Sequence, residues 1–146
     1  MDTSIRIHRF EELSALEMHA LYKLRTDIFV VEQNCPYPEV DEADLHARHA
    51  LLTESNTLVG TARIIMEPRI ARIGRVAIHR EHRGKGLARE LMNACMDFIR
   101  KEKGAATISV SAQTYLHDFY ASLGFEFTGE AYLEDGLPHI EMLRIP

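Results

Sequence analysis

The sequence predicts an α/β (α+β) domain, a mixed twisted sheet of about seven strands flanked by helices on both faces. Three observations predict it. The length of 146 residues suits a single domain, residues 1–146, and no repeat, linker or low-complexity stretch divides it. Hydrophobic residues make up 46% and charged residues 27%, the balance of a chain that buries a core, which excludes a disordered tail or a membrane bundle. Finally, apolar periods of two and of 3.6 alternate along the chain in the order β-α-loop-β-β-β-α-β-α-β-β.

The elements follow in order. Ser4 to His8 alternates Ile5 and Ile7 with polar neighbours, a first strand. Leu13, Leu16, Ala20, Leu21, Leu24 and Ile28 recur at helical spacing, predicting a helix from about Glu11 towards Val31. Residues 33–48 carry Pro36 and Pro38 and many acids, and read as an ordered loop. His49 to Thr53 and Leu58 to Met66 form a hairpin, and Ala71 to His79 a fourth strand. Gly84-Lys85-Gly86 opens a helix with Leu87, Leu91, Ala94, Cys95, Phe98 and Ile99 on one face. Arg100, Lys101, Lys103 and Gly104 close it with favourable charge and a stop signal. A strand from Thr107 to Ala112, a short helix from Thr114 to Leu123, and strands at Phe125 to Tyr132 and His139 to Ile145 complete the chain.

Net charge is −5, which argues against a general nucleic-acid surface. No apolar run approaches the roughly 20 residues of a bilayer span, and no secretory signal is visible, so the expected location is the cytoplasm. Cys35 and Cys95 lack metal-ligand spacing and are expected to be reduced thiols; His46 and His49 lack a third ligand, so no metal is expected. The distribution of charge is uneven. Glu67 to Arg89 holds seven basic and two acidic residues, whereas Val30 to Glu54 holds six acidic residues and one arginine. These are either two solvated faces or an anion-binding and a cation-binding pole.

The segment from Arg75 to Ala88 carries the most chemistry. An apolar strand runs into a basic turn, and two glycines open an amphipathic helix. A helix start exposes unbonded N–H groups at the positive end of its dipole, and glycine lets an anion approach the backbone. With Arg83 and Lys85 this is a cradle for pyrophosphate. A P-loop needs Ser or Thr after its lysine, and a dinucleotide fingerprint needs a third glycine; Leu87 and Arg89 satisfy neither.

Arg83-Gly84-Lys85-Gly86-Leu87-Ala88 resembles the signature with which the GNAT superfamily of N-acetyltransferases holds the pyrophosphate of acetyl-CoA. Phe119-Tyr120-Ala121-Ser122-Leu123-Gly124-Phe125 is similar to the same family's helix ending in Tyr-x-x-x-Gly-Phe. Phe29 to Gln33, Cys35-Pro36-Tyr37, Asp41 to His46, Ala112-Gln113 and Asp135 to Met142 resemble its ElaA-like branch. The likeness spans almost the whole chain and implies a mostly antiparallel sheet, splayed between its fourth and fifth strands to admit acetyl-CoA.

It also implies direct attack of an amine on the thioester through a tetrahedral oxyanion. A backbone N–H within Val76-Ala77-Ile78 would polarise the carbonyl. Tyr120 stands at the general-acid position for the leaving thiolate, although the residues alone also allow a core aromatic packed on Phe119 and Phe125. Glu32 is the first candidate base; His117, His139 and Glu141 are alternatives, each with an ordinary structural role open to it. Many family members carry an asparagine on the fifth strand, where Gln113 stands here. Some use a glutamate on the fourth strand, where Arg72, Gly74 and Arg75 stand, which favours a water relay for proton removal. Phe29, Asp41, His139 and Glu141 are expected to bind the acceptor, with Glu39, Asp41, Glu42 and Asp44 either attracting a cationic amine or forming a plain acidic loop. Expected partners are a small-molecule or peptide amine, with no nucleic acid or membrane; a homodimer through the last strands is compatible with the fold. A non-catalytic acyl-CoA sensor is the alternative, since it would need the cradle but not Tyr120.

Overall fold

A computed structural model describes residues 2–146. Seven strands, β1 (Thr3–Arg9), β2 (Arg48–Glu54), β3 (Thr57–Met66), β4 (Ile70–Ile78), β5 (Thr107–Gln113), β6 (Glu126–Glu134) and β7 (Leu137–Arg144), form one sheet in the order β1-β2-β3-β4-β5-β7-β6. Only β4 and β5 run parallel; every other neighbouring pair is antiparallel. This is the mixed, mostly antiparallel sheet that the apolar patterns and the family resemblance predict.

The helices are α1 (Ala15–Thr26), α2 (Leu87–Lys103) and the five-residue α3 (His117–Ala121). α2 buries Leu87, Leu91, Met92, Cys95 and Ile99 against one face of the sheet, where Tyr120, Leu123 and Phe125 join the same core. α1 covers the other face: Leu21 packs on Leu51, and Leu24 with Ile28 on Ala77.

The first helix differs from its sequence prediction at both ends. It starts at Ala15, because Ser14 accepts the Glu17 N–H and Glu17 reaches back to the Ser14 N–H, a capping box worth about 1 kcal/mol. Phe10–Glu12 is a separate 3-10 turn, and Leu16 is left exposed. At the other end, Asp27–Glu32 widens into a π-helical turn. The helix after β5 is also shorter than predicted, its first turn being 3-10 over Thr114–Leu116.

The feature that makes a cleft is a bulge in β4. Arg63 and Thr61 of β3 face Gly74 and Ala77, so between them one residue of β3, Ala62, stands against two of β4, Arg75 and Val76. Arg75 takes up the extra residue at φ 49°, a left-handed conformation that disfavours a side chain by about 1–2 kcal/mol. The extra residue flips the strand's facing. Ala71 and Ile73 point under α2, whereas Ala77 points under α1. Pairing of β4 with β5 stops at Ile73 opposite Val110, leaving that edge of Gly74–Ile78 without a strand partner.

Candidate active site

Two clefts open along the unpaired edge of β4 and meet in the middle. One has a volume of about 390 Å³ and is bounded by Ile28 and Glu32 from the α1 side, Val76, Ala77 and Ile78 from β4, and Phe119 from α3. The other lies beneath residues 33–39 and is bounded by Ser111 of β5, Glu134 and Asp135 of the last hairpin, and His139 of β7. Phe29, Gln33, Val76, Gln113, Leu116 and Tyr120 line both, so these residues form the seam.

The larger cleft continues to the start of α2. Gly84 and Gly86 both have φ 78°, and a Cβ on either would meet nothing within 4 Å, so the backbone is open to solvent there. Gly86 is the N-cap of α2 and offers no side-chain cap, which leaves the first N–H groups of the 17-residue helix for an external acceptor. Leu87 lines this continuation, with its side chain largely buried in the core. Arg83, Ala88 and Phe119 line it too, and exposed Lys85 lies outside the lining. The donor set therefore fits a pyrophosphate.

Tyr120 is 6% exposed and held edge-on between the rings of Phe119 and Phe125. Burial pushes its phenol up to about 12, so it carries its proton at neutral pH. Gln113 donates to Gln33 Oε1 at 3.2 Å, tying the end of β5 to the end of the first helical segment.

Glu32, the first candidate base, is paired with an arginine of the cradle. Its two oxygens take Arg83 Nη1 and Nη2 at 2.7 and 3.0 Å, and this hydrogen bonding holds its carboxyl below the usual range. It lines the larger cleft only. Of the two readings of the acidic loop, the ion pairs favour the one in which its charge serves the loop itself. Arg25, 1% exposed, holds Glu39 Oε2 and Asp44 Oδ1 at 2.8 Å each; Arg63 holds Asp41 and Asp44; Arg75 holds Glu39 at 2.7 Å. Burial is the largest single influence on Asp44 and opposes its charge, yet the hydrogen bond and charge of Arg25, the Asp41 N–H and Arg63 together keep the carboxyl low. Asp41 lines neither cleft and is spent on Arg63 and Arg75. Glu42 is exposed in the 3-10 turn Glu42–Leu45.

Of the remaining candidates, Phe29 lies in the seam and His139 in the smaller cleft, whereas Glu141 lines neither and exposed His117 contacts its neighbour Asp118. His46 is exposed and His49 is buried on the Asp44 carbonyl; among the described residues no cluster of three potential metal ligands forms. Cys35 and Cys95 are buried thiols, and Cys35 donates to the Asp135 carbonyl at 3.1 Å. Sequence reasoning missed Glu134 and the Arg25 network, whose acidic partners lie 14 and 19 positions along the chain.

A splayed β4–β5 edge, a glycine-built helix start and a buried tyrosine between them define an acyl-CoA transferase fold. Residues 29–145 match the family described as acetyltransferase (GNAT) domain, and the chain belongs to that family. The E. coli protein ElaA is 39% identical over 140 residues, covering 91% of this chain and 90% of its own; a UPF0039 protein of Schizosaccharomyces pombe is 43% identical over 136 residues, covering 91% of each. Among solved structures, E. coli ElaA superposes with a TM-score of 0.92 at 36% identity, covering 98% and 99% of the two chains. An acyl-CoA N-acyltransferase from Pseudomonas aeruginosa gives the same TM-score and coverage at 34% identity. Acyl transfer from a CoA thioester is thus the general chemistry of this chain's family.

Proposed function

We infer that this protein transfers an acetyl group from acetyl-CoA to a primary amine by direct attack. The observation that carries the reading is the seam, where a buried, protonated tyrosine stands between a cleft ending in an anion cradle and a second cleft of polar lining. Bound acetyl-CoA would supply an activated acyl group as its thioester. Arg83 and the N–H groups of Gly86 to Ala88 would hold its pyrophosphate. The free edge of Val76 to Ile78 would offer an N–H to the thioester oxygen, stabilising charge that develops only during attack. Tyr120 would then give its proton to the departing sulfur, and Phe119 and Phe125 fix the ring that carries it.

Calorimetry with acetyl-CoA, followed by thiol release on a panel of polyamines, aminoglycosides and lysine peptides, tests the reading. Binding with thiol release on one amine class is the expected result. Tyr120→Phe should lower kcat by roughly 10²–10⁴ with little change in acetyl-CoA affinity. Equal turnover would remove Tyr120 from the reaction, and absence of acetyl-CoA binding would remove the cradle.

A further inference from the structure

We propose that His139 is the base that takes the proton of the acceptor amine and that Glu134 positions it; this rests on the acyl-transfer reading above. His139 is the third residue of β7 and lines the smaller cleft, opposite Gln113 in the β5–β7 register. Its side chain is only 8% exposed. Nδ1 lies 2.8 Å from the Leu137 carbonyl, which can only accept, so Nδ1 carries the hydrogen and Nε2 is the basic atom. Glu134 Oε2 stands 3.6 Å from that Nε2, placed to stabilise the imidazolium formed when a proton arrives.

The surroundings hold this pair in place. The Tyr132 ring lies over the imidazole, centroids 6.3 Å apart and planes 16° from parallel. The Tyr132 hydroxyl meets Ser111 Oγ at 2.5 Å, and Ser111 in turn donates to Glu134 Oε1 at 3.1 Å. One carboxylate oxygen is thereby anchored while the other is left to the histidine. The Glu134 side chain is 45% exposed, so a proton passed to it reaches water without crossing the cleft.

Several other ionisable groups around the cleft are already committed. Arg75 from β4 and Glu39 from the loop neutralise each other at 2.7 Å, and the Cys35 thiol donates to the Asp135 carbonyl. Tyr37 from the loop, Asp135 at the hairpin turn and Tyr120 from α3 complete the set, and Tyr120 serves as the acid. Glu32, on the other side of the seam, is held by Arg83.

The step balances without a further reactant. The amine nitrogen bonds to the acetyl carbon, its surplus proton goes to His139 Nε2, the carbon–sulfur bond breaks, and sulfur takes the Tyr120 proton. The imidazolium releases its proton to water by way of Glu134, and Tyr120 regains one from solvent.

His139→Asn is the test, because the asparagine amide can still donate to the Leu137 carbonyl while no base remains at the Nε2 position. On whichever amine the unaltered protein acetylates, kcat/KM should fall by about 10²–10⁴, the acetyl-CoA dissociation constant should stay within about twofold, and the acidic limb of the pH–rate profile should disappear. Retained kcat/KM, or a lowered rate that keeps the acidic limb, overturns the assignment of the base. Glu134→Gln should reduce kcat with an unchanged KM for acetyl-CoA; an unchanged kcat overturns the positioning role. Failure of the unaltered protein to release thiol on any amine would overturn the acyl-transfer reading itself, a result distinct from a histidine variant that works normally.

Discussion

On the rim made by Arg83 to Ala88, glycine stands in place of side chains and the start of α2 keeps its N–H groups open. On the rim made by residues 33–48, Glu39, Asp41 and Asp44 are each held by one or two guanidinium groups. By charge alone, both rims could be either solvated faces or ligand-binding poles. The two segments meet only in part, through Arg75 with Glu39 and Asp41, and Arg83 with Glu32, while Arg25 and Arg63 hold the other carboxylate contacts of the loop. A run of charge has no function until what packs over it is known. Here the loop's charge secures the loop, and with it the strained Arg75 bulge that splays β4 from β5.

The largest expected effect breaks the acceptor rim. Asp44→Ala leaves buried Arg25 without its main partner and strips one carboxylate from Arg63, so stability should fall by about 3–5 kcal/mol in urea denaturation. Gly86→Val attacks the other rim. A β-branched residue at φ 78° costs about 1–2 kcal/mol of stability, whereas acetyl-CoA affinity should fall by more than about 100-fold because the side chain occupies the cradle. A Gly86 variant that still binds, or an Asp44 variant as stable as the parent, would erase the distinction between a rim kept open for a ligand and a rim closed on itself.

Sequence order explains how much of this was legible. The order of elements along the chain and the buried face of α2 follow from local periodicity, and the glycine turn from a short motif whose chemistry is all backbone. The Ser14 and Glu17 cap was present as a local signal, yet the apolar residues at Leu13 and Leu16 pointed to an earlier helix start. The π turn at Asp27–Glu32 and the Arg75 bulge were not legible. A non-glycine residue at φ 49° persists because Glu39, 36 positions away, holds its guanidinium, and no local pattern encodes that. The same distance rule hid the Arg25 network. Tyr120 could be named from its motif, whereas the pairing of His139 with Glu134 required the register of the last hairpin.

The smallest expected effect lies where the two rims touch. Arg83 lines the cradle while its guanidinium is paired with Glu32, and the two side chains are 41% and 26% exposed, so water screens the pair. An anion arriving at the turn must compete with that carboxylate. Glu32→Gln removes the competing charge and should tighten acetyl-CoA binding by about two- to fivefold, equivalent to the ~0.5–1 kcal/mol such an exposed pair is worth. Added salt should shrink the gain, since it screens the carboxylate that the variant lacks. Weaker binding in the Gln variant would mean that Glu32 aims Arg83 at the ligand rather than competing for it, and the acidic side would then belong to the cofactor rim after all.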